Sequence, residues 1–280
     1  MTSRTVGRLP PLAGPPVPLR RLLLASRADL LLAAGLVTWV PLILLLDRGT
    51  GIWAQRALGL GTWVLLLALL SREARITRVQ VGVVVVFATI VEYTFSPLLE
   101  VYVYRLHNVP AFVPPGHGLV YLGALAIGRA PLVRAYRRAL VAGTAVLCGA
   151  YALWGVTLSP RLDVLGFIWF LCLLAFLRWG PSSTLYVGAF FVVTYLELFG
   201  TAVGTWRWSE MDPTGIIAIG NPPSGAAGGY GWFDLAAVLA APALLSAWDT
   251  VRRRRRGSVL GERGEGGLVQ EPVRGDGAAA

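Results

Sequence analysis

The sequence predicts an all-α polytopic membrane protein of about eight transmembrane helices with both termini cytoplasmic. Three observations carry the prediction. The chain is 55% hydrophobic and only 14% charged, with a mean hydropathy of +0.63, far from the charge content of a soluble domain. Apolar runs recur at lengths that cross a bilayer. The arginines gather at alternate ends of those runs.

The elements follow in order. Residues 1–27 form a basic lead that is rich in Pro and Gly up to residue 19 and is too long and proline-broken for a signal peptide, so it reads as disordered and cytoplasmic. The first apolar run, about 28–46, is long enough to cross a hydrocarbon layer of roughly 30 Å at 1.5 Å per residue. Further spans are expected at about 52–70, 79–100, 112–128, 139–157, 163–178, 183–204 and 231–249, the fourth and sixth lying near the short limit. With eight spans, the cytoplasmic side receives the N-terminal arginines, then Arg72, Arg75 and Arg78, then the Arg129–Arg138 group, Arg178 and the Arg252–Arg256 run. The outer loops hold only Arg48, Arg105, Arg161 and Arg207. This is the asymmetry of the positive-inside rule, and it implies the cell's inner (plasma) membrane. Residues 250–280 comprise the arginine cluster and a glycine-rich tail without hydrophobic period, expected to be disordered after Arg256.

The net charge of +10 does not point to nucleic acid, because the arginines sit at span ends without the interleaved aromatics of a nucleic-acid module. Attraction to anionic lipid head groups accounts for it, so membrane lipids are the expected partners. Cys148 and Cys172 fall inside separate apolar runs, with neither a disulfide framework nor a metal motif.

An internal repeat organises the spans. "EYTFSPLLEVYVYRLHNVPAFVPPGHGL", from Glu92, parallels "ELFGTAVGTWRWSEMDPTGIIAIGNPPSGAAGGY", from Glu197. Each has a glutamate late in a span, an aromatic-x-aromatic pair (Tyr102/Tyr104; Trp206/Trp208) and a Pro-Pro turn leading into the next span. The halves are 28–138 and 139–249, and because each holds an even number of spans they share one orientation, about an axis along the membrane normal. Both glutamates then lie about 20 Å up their helices, at matching depths in the outer half of the bilayer. A carboxylate there is costly unless paired or hydrated, so Glu92 and Glu197 face the bundle interior and are the candidate catalytic acid and base. Their structural alternative is an interhelical hydrogen bond that only orients helices.

Tyr102, Tyr104, Trp206, Trp208, Tyr230 and Trp232 fit an interfacial aromatic belt. The first four, with His117 and Asn221, are the candidate substrate-binding set; His107 and His117 are read as interface histidines, or one of them as a proton-relay partner to Glu92. Asn108 is a further polar contact, and Asp234 is expected to pair with Arg207 or Arg105. The spacing of His107 and His117 matches no compact metal motif, and no cofactor is expected. The "PPGHG" and "NPPSG" turns lack the strand–glycine–lysine–helix context of phosphate loops, and Ser224 lacks a nucleophile elbow.

The pattern Glu197-x-x-Gly200-x-x-x-Gly204-x-Trp206-x-Trp208 resembles that of bacterial carotenoid-biosynthesis membrane proteins, which include carotenoid hydratases; Glu92 to Tyr104 is a second, partial echo. The chain departs from that pattern at Ser96 and Pro97 and in its "PPGHG" and "NPPSGAAGGY" turns. The resemblance implies acid-initiated chemistry on an isoprenoid double bond: a buried carboxyl protonates the alkene and a second group directs water to the cation. A proton- or cation-coupled transporter using the same glutamates, or a non-catalytic scaffold, are the alternative readings.

Overall fold

The structure, a computed structural model, describes residues 18–265, and the side chains of residues 18–253. The remaining terminal residues, on which most of the expected disorder falls, lie outside the described residues. Nine α-helices are present among the described residues: α1 Leu19–Asp47, α2 Ile52–Leu70, α3 Arg75–Tyr93, α4 Val113–Arg129, α5 Pro131–Ala135, α6 Arg137–Thr157, α7 Val164–Trp179, α8 Ser183–Ala202 and α9 Ala226–Glu265. Six of them, α1, α2, α3, α6, α8 and α9, are long and apolar enough to cross a membrane. The chain is a helical, multi-pass membrane protein. The expected fourth and sixth spans are the two shorter helices, α4 with 17 residues and α7 with 16.

Local chemistry sets the helix ends. Pro114 and Pro115 open α4, where a missing N–H costs nothing. Asp163 caps α7 by accepting from Gly166 N at 2.9 Å, and Ser182 caps α8 by accepting from Leu185 N at 3.4 Å. Two boundaries differ from the sequence expectation. Helix α1 begins directly after Pro18, so its arginines extend the apolar run instead of preceding it, and α9 continues beyond Arg256 to Glu265, just before the Gly266–Gly267 pair, because arginine is a good helix former.

Past Tyr93, α3 loosens into a π-helical turn, Thr94–Leu98, containing Pro97. Proline has no N–H to donate, and the ladder re-forms with wider spacing: Leu99 N donates to Thr94 O and Val101 N to Phe95 O. The chain then enters a departure from the all-helical expectation. Strand β1 (Tyr102–Tyr104) pairs antiparallel with β2 (Trp206–Trp208) in the register Tyr102↔Trp208, Val103↔Arg207, Tyr104↔Trp206.

Helices α4 and α8 form the centre of the bundle. Gly188 permits their close approach, since a Cβ there would meet Ala124 O at 2.3 Å. At the arginine-rich end, Arg129 of α4 ties three segments together, reaching Asp29 at 2.5 Å and both oxygens of Glu73 at 2.8 and 2.9 Å.

Candidate functional site

The two expected acids are buried, Glu92 at 5% and Glu197 at 3% exposure, and both line one cavity of about 600 Å³. The sequence left open whether they share a chamber; they do. Because side chains alternate along a strand, Tyr102, Tyr104, Trp206 and Trp208 all project from one face of the β1/β2 ribbon, while Val103 and Arg207 project from the other. The aromatic face points inward and meets the carboxyls.

The donor sets of the two glutamates correspond. Glu92 Oε2 accepts from the hydroxyls of Tyr102 at 2.9 Å and Tyr104 at 2.8 Å, and its Oε1 pairs with His117 Nε2 at 2.8 Å. Glu197 Oε2 accepts from the indole N–H groups of Trp206 at 3.0 Å and Trp208 at 3.1 Å, and its Oε1 accepts from the Tyr230 hydroxyl at 3.2 Å. Each carboxyl therefore takes two donors from its own strand and one from the helix that follows. His117 and Tyr230, the two helix partners, stack at 5.3 Å between ring centroids.

The two sets differ in chemistry. Phenols and imidazole both give and take protons, whereas an indole N–H only donates. Burial first, and then the Glu92 charge, push the Tyr102 and Tyr104 phenols above their ordinary pKa, so both stay protonated as donors.

The other expected residues divide. The aromatic pairs are not an interfacial belt: Tyr102, Tyr104, Trp206 and Trp208 are 5–7% exposed, because their polar tips are consumed by the glutamates. Asn221 is exposed; its side-chain oxygen accepts from Trp208 N at 3.0 Å, so it fixes the strand from outside instead of facing the cavity. Asn108 donates to Gln55 Oε1 at 2.7 Å, away from the glutamates, and His107 is an exposed turn residue at φ 55°. Asp234 pairs with neither expected arginine, since Arg105 turns to Asp47 at 3.3 Å and Arg207 points outward.

Several supporting residues escaped the sequence reading. Asp163 accepts from the backbone N–H groups of Gly166, Gly220 and Ser224, holding the Asn-Pro-Pro turn against α7. Arg161 donates to the carbonyls of Ile219, Trp208 and Ser209, bracing β2. Their only sequence signal was a charged pair at the end of an apolar run. Tyr230 was assigned to the belt and is instead the third partner of Glu197.

Most of the remaining cavity wall is apolar, with Trp39, Phe87, Phe112 and Trp169 among its aromatics. Among the aromatic wall residues, Phe95 on the π turn is 40% exposed and Trp232 on α9 is 50% exposed. No known protein family, curated protein or solved structure matches this chain. What the site does must be argued from its own geometry. Two carboxyls in an apolar, aromatic chamber can give and take a proton at one bound molecule, and the rings can stabilise positive charge on it.

Proposed function

We propose that the protein is an integral membrane enzyme that performs acid–base chemistry on a double bond of an isoprenoid-like lipid, of the kind carried out by the carotenoid-modifying proteins it resembles. The observation that carries this reading is the placement of Glu92 and Glu197 on one largely apolar cavity, each held by three hydrogen-bonding side chains. Glu92 is the acid, because His117, which pairs with its Oε1, can pass a proton to it. Glu197 is the base and the counter-charge to a cation, because two fixed indole donors orient it as an acceptor. The substrate reaches the cavity from the bilayer beside Phe95 and Trp232.

The proposed topology is eight spans in two parallel halves, with both ends on the cytoplasmic side of the plasma membrane. The strand register supports it: an axis along the membrane normal that relates two in-plane strands makes them antiparallel, and it carries Tyr102 onto Trp206 and Tyr104 onto Trp208. The helix packing agrees, since α3 lies on α9 as α8 lies on α4. Both tests use cells that lack the protein. Mass spectrometry of their lipid extracts, against cells complemented with wild type, Glu92→Gln or Glu197→Gln, is expected to show an accumulating apolar precursor. Wild type clears it, and each variant lowers product by at least about 10²-fold. Full rescue by both variants would remove the glutamates from the chemistry, and proton-dependent solute flux with unchanged extracts would replace the enzyme by a transporter.

A further inference from the structure

The chain carries a net charge of +10, yet the wall of the glutamate cavity is acidic. Its described residues include three carboxyls, Glu92, Glu197 and Asp212, and no arginine, with His117 as the basic group. Asp212 commits its oxygens to its own loop, to Thr214, Ile216 and Ile217. That leaves the two glutamates to act on a molecule in the cavity. A carboxylate has about four acceptor sites, and each glutamate fills three, two on Oε2 and one on Oε1. One acceptor site remains on Oε1 of each.

Charge balance separates the two. Buried charges are ordinarily paired, and Glu92 has His117 at 2.8 Å. Glu197 is 3% exposed, and its three partners, two indoles and a phenol, are neutral. Among the described residues none forms an ion pair with it. The cavity therefore offers a cation one buried carboxyl that has no counter-charge of its own.

The rest of the wall favours the same ligand. Twelve wall residues are Trp, Tyr or Phe. Five of them follow one another, Trp206, Tyr104, Tyr102, Trp208 and Trp169, with ring centroids 4.6–6.1 Å apart and planes inclined at 51–83°. None of these contacts is a parallel stack, which would take ring faces out of use. Ring faces are the negative side of the aromatic quadrupole, so inclined rings around a cavity attract a cation that has shed its water. An anion, or the phosphate of a phospholipid head group, finds no arginine among the described wall residues.

We infer that the cavity binds a lipophilic organic cation: a protonated amine on an apolar body, with its N–H on Glu197 and its charge against the aromatic rings. The largely apolar remainder of the chamber, about 600 Å³ in all, takes the hydrocarbon part. Binding of this class does not depend on the proposed reaction. One consequence does rest on that reading: the amine resembles the cation formed when a double bond is protonated, and so inhibits turnover.

Isothermal titration of the purified full chain in a neutral maltoside detergent, with blank micelles subtracted, tests the site. The probes are N,N-dimethyloctylamine, protonated at neutral pH, and octyl methyl ether, an uncharged compound of similar size. The amine is expected to saturate one site per chain and to bind at least about 10-fold more tightly than the ether, an advantage that Glu197→Gln removes. Trp169→Leu, a second variant should Glu197→Gln fail to fold, is expected to weaken the amine by about 3- to 30-fold and the ether less. Equal affinity of wild type for amine and ether would overturn the site, as would an amine advantage undiminished in both variants. Dihexanoyl phosphatidylcholine is expected not to compete; its displacing the amine at similar concentration would make the occupant a phospholipid head group and overturn the choice of ligand. Binding is read without turnover, and the lipid extracts report turnover alone, so a failed ammonium site and a failed catalytic reading are told apart.

Discussion

Single side chains determine what the cavity can do, and the acids were legible because an ionisable group inside an apolar run is costly. Glu92 and Glu197 stood out on that ground, and the sequence offered His107 or His117 as a relay to Glu92, of which the fold brings His117 to it. Tyr230 was not legible: at a span edge a tyrosine serves a membrane belt as readily as a buried carboxyl, and only the packing of α9 against α8 decides between them. Asp234 misled for the same reason, since matching it to a distant arginine needs the fold. Asp212 gives the residue-scale prediction. Its Oδ1 accepts from Ile216 N at 2.9 Å and Ile217 N at 2.7 Å, and its Oδ2 from the Thr214 hydroxyl and backbone N–H. The Thr214 hydroxyl first, and then the backbone donors, lower its pKa from 3.8 to about 2. A depressed carboxylate stabilises the loop fully above its unfolded value and loses that contribution as pH falls through its folded one. Amide exchange at Ile216 and Ile217 is therefore expected to stay protected from neutral pH down to about 4, and to lose protection as pH falls toward about 2. Protection that disappears near pH 6 would contradict the assignment.

Segments carry the next level, and here hydropathy and proline explain what was readable. Eight apolar runs were visible and a helix lies in each, six of them long and apolar enough to cross a membrane, because each run's length and flanking breakers are local properties. The strand pair was not visible. Three residues carry no period of their own, and "YVY" and "WRW" become strands only because the fold brings two connectors side by side. Gly200 of α8 shows how the connector is seated. A Cβ there would lie 1.9 Å from the Trp206 ring, so the indole that donates to Glu197 rests directly on the glycine. Gly200→Ala is expected to destabilise the protein by about 1–3 kcal/mol through this overlap. Gly82→Ala, where nothing lies within 4 Å, should be neutral or slightly stabilising because glycine is a poor helix former. Thermal unfolding in detergent checks the pair, and equal midpoints would mean that Trp206 is not held against α8.

For the whole molecule, the bundle brings two equivalent corners into one chamber and gives them unequal chemistry. The corner at Glu92 is built from two phenols and an imidazole able to relay a proton. The corner at Glu197 is built from two fixed indole donors and one phenol. That inequality is what an addition to a double bond requires: one carboxyl gives a proton to carbon and the other handles the charge and the incoming nucleophile. The most direct measurement is to run the purified, lipid-reconstituted protein on the precursor from the deletion cells, in D₂O, and weigh the product. Proton delivery from a carboxyl to carbon predicts a carbon-bound deuterium that survives return to H₂O, adding about one mass unit per double bond attacked, with wild type and not with Glu92→Gln. A product that forms at the wild-type rate without carbon-bound deuterium would contradict the account.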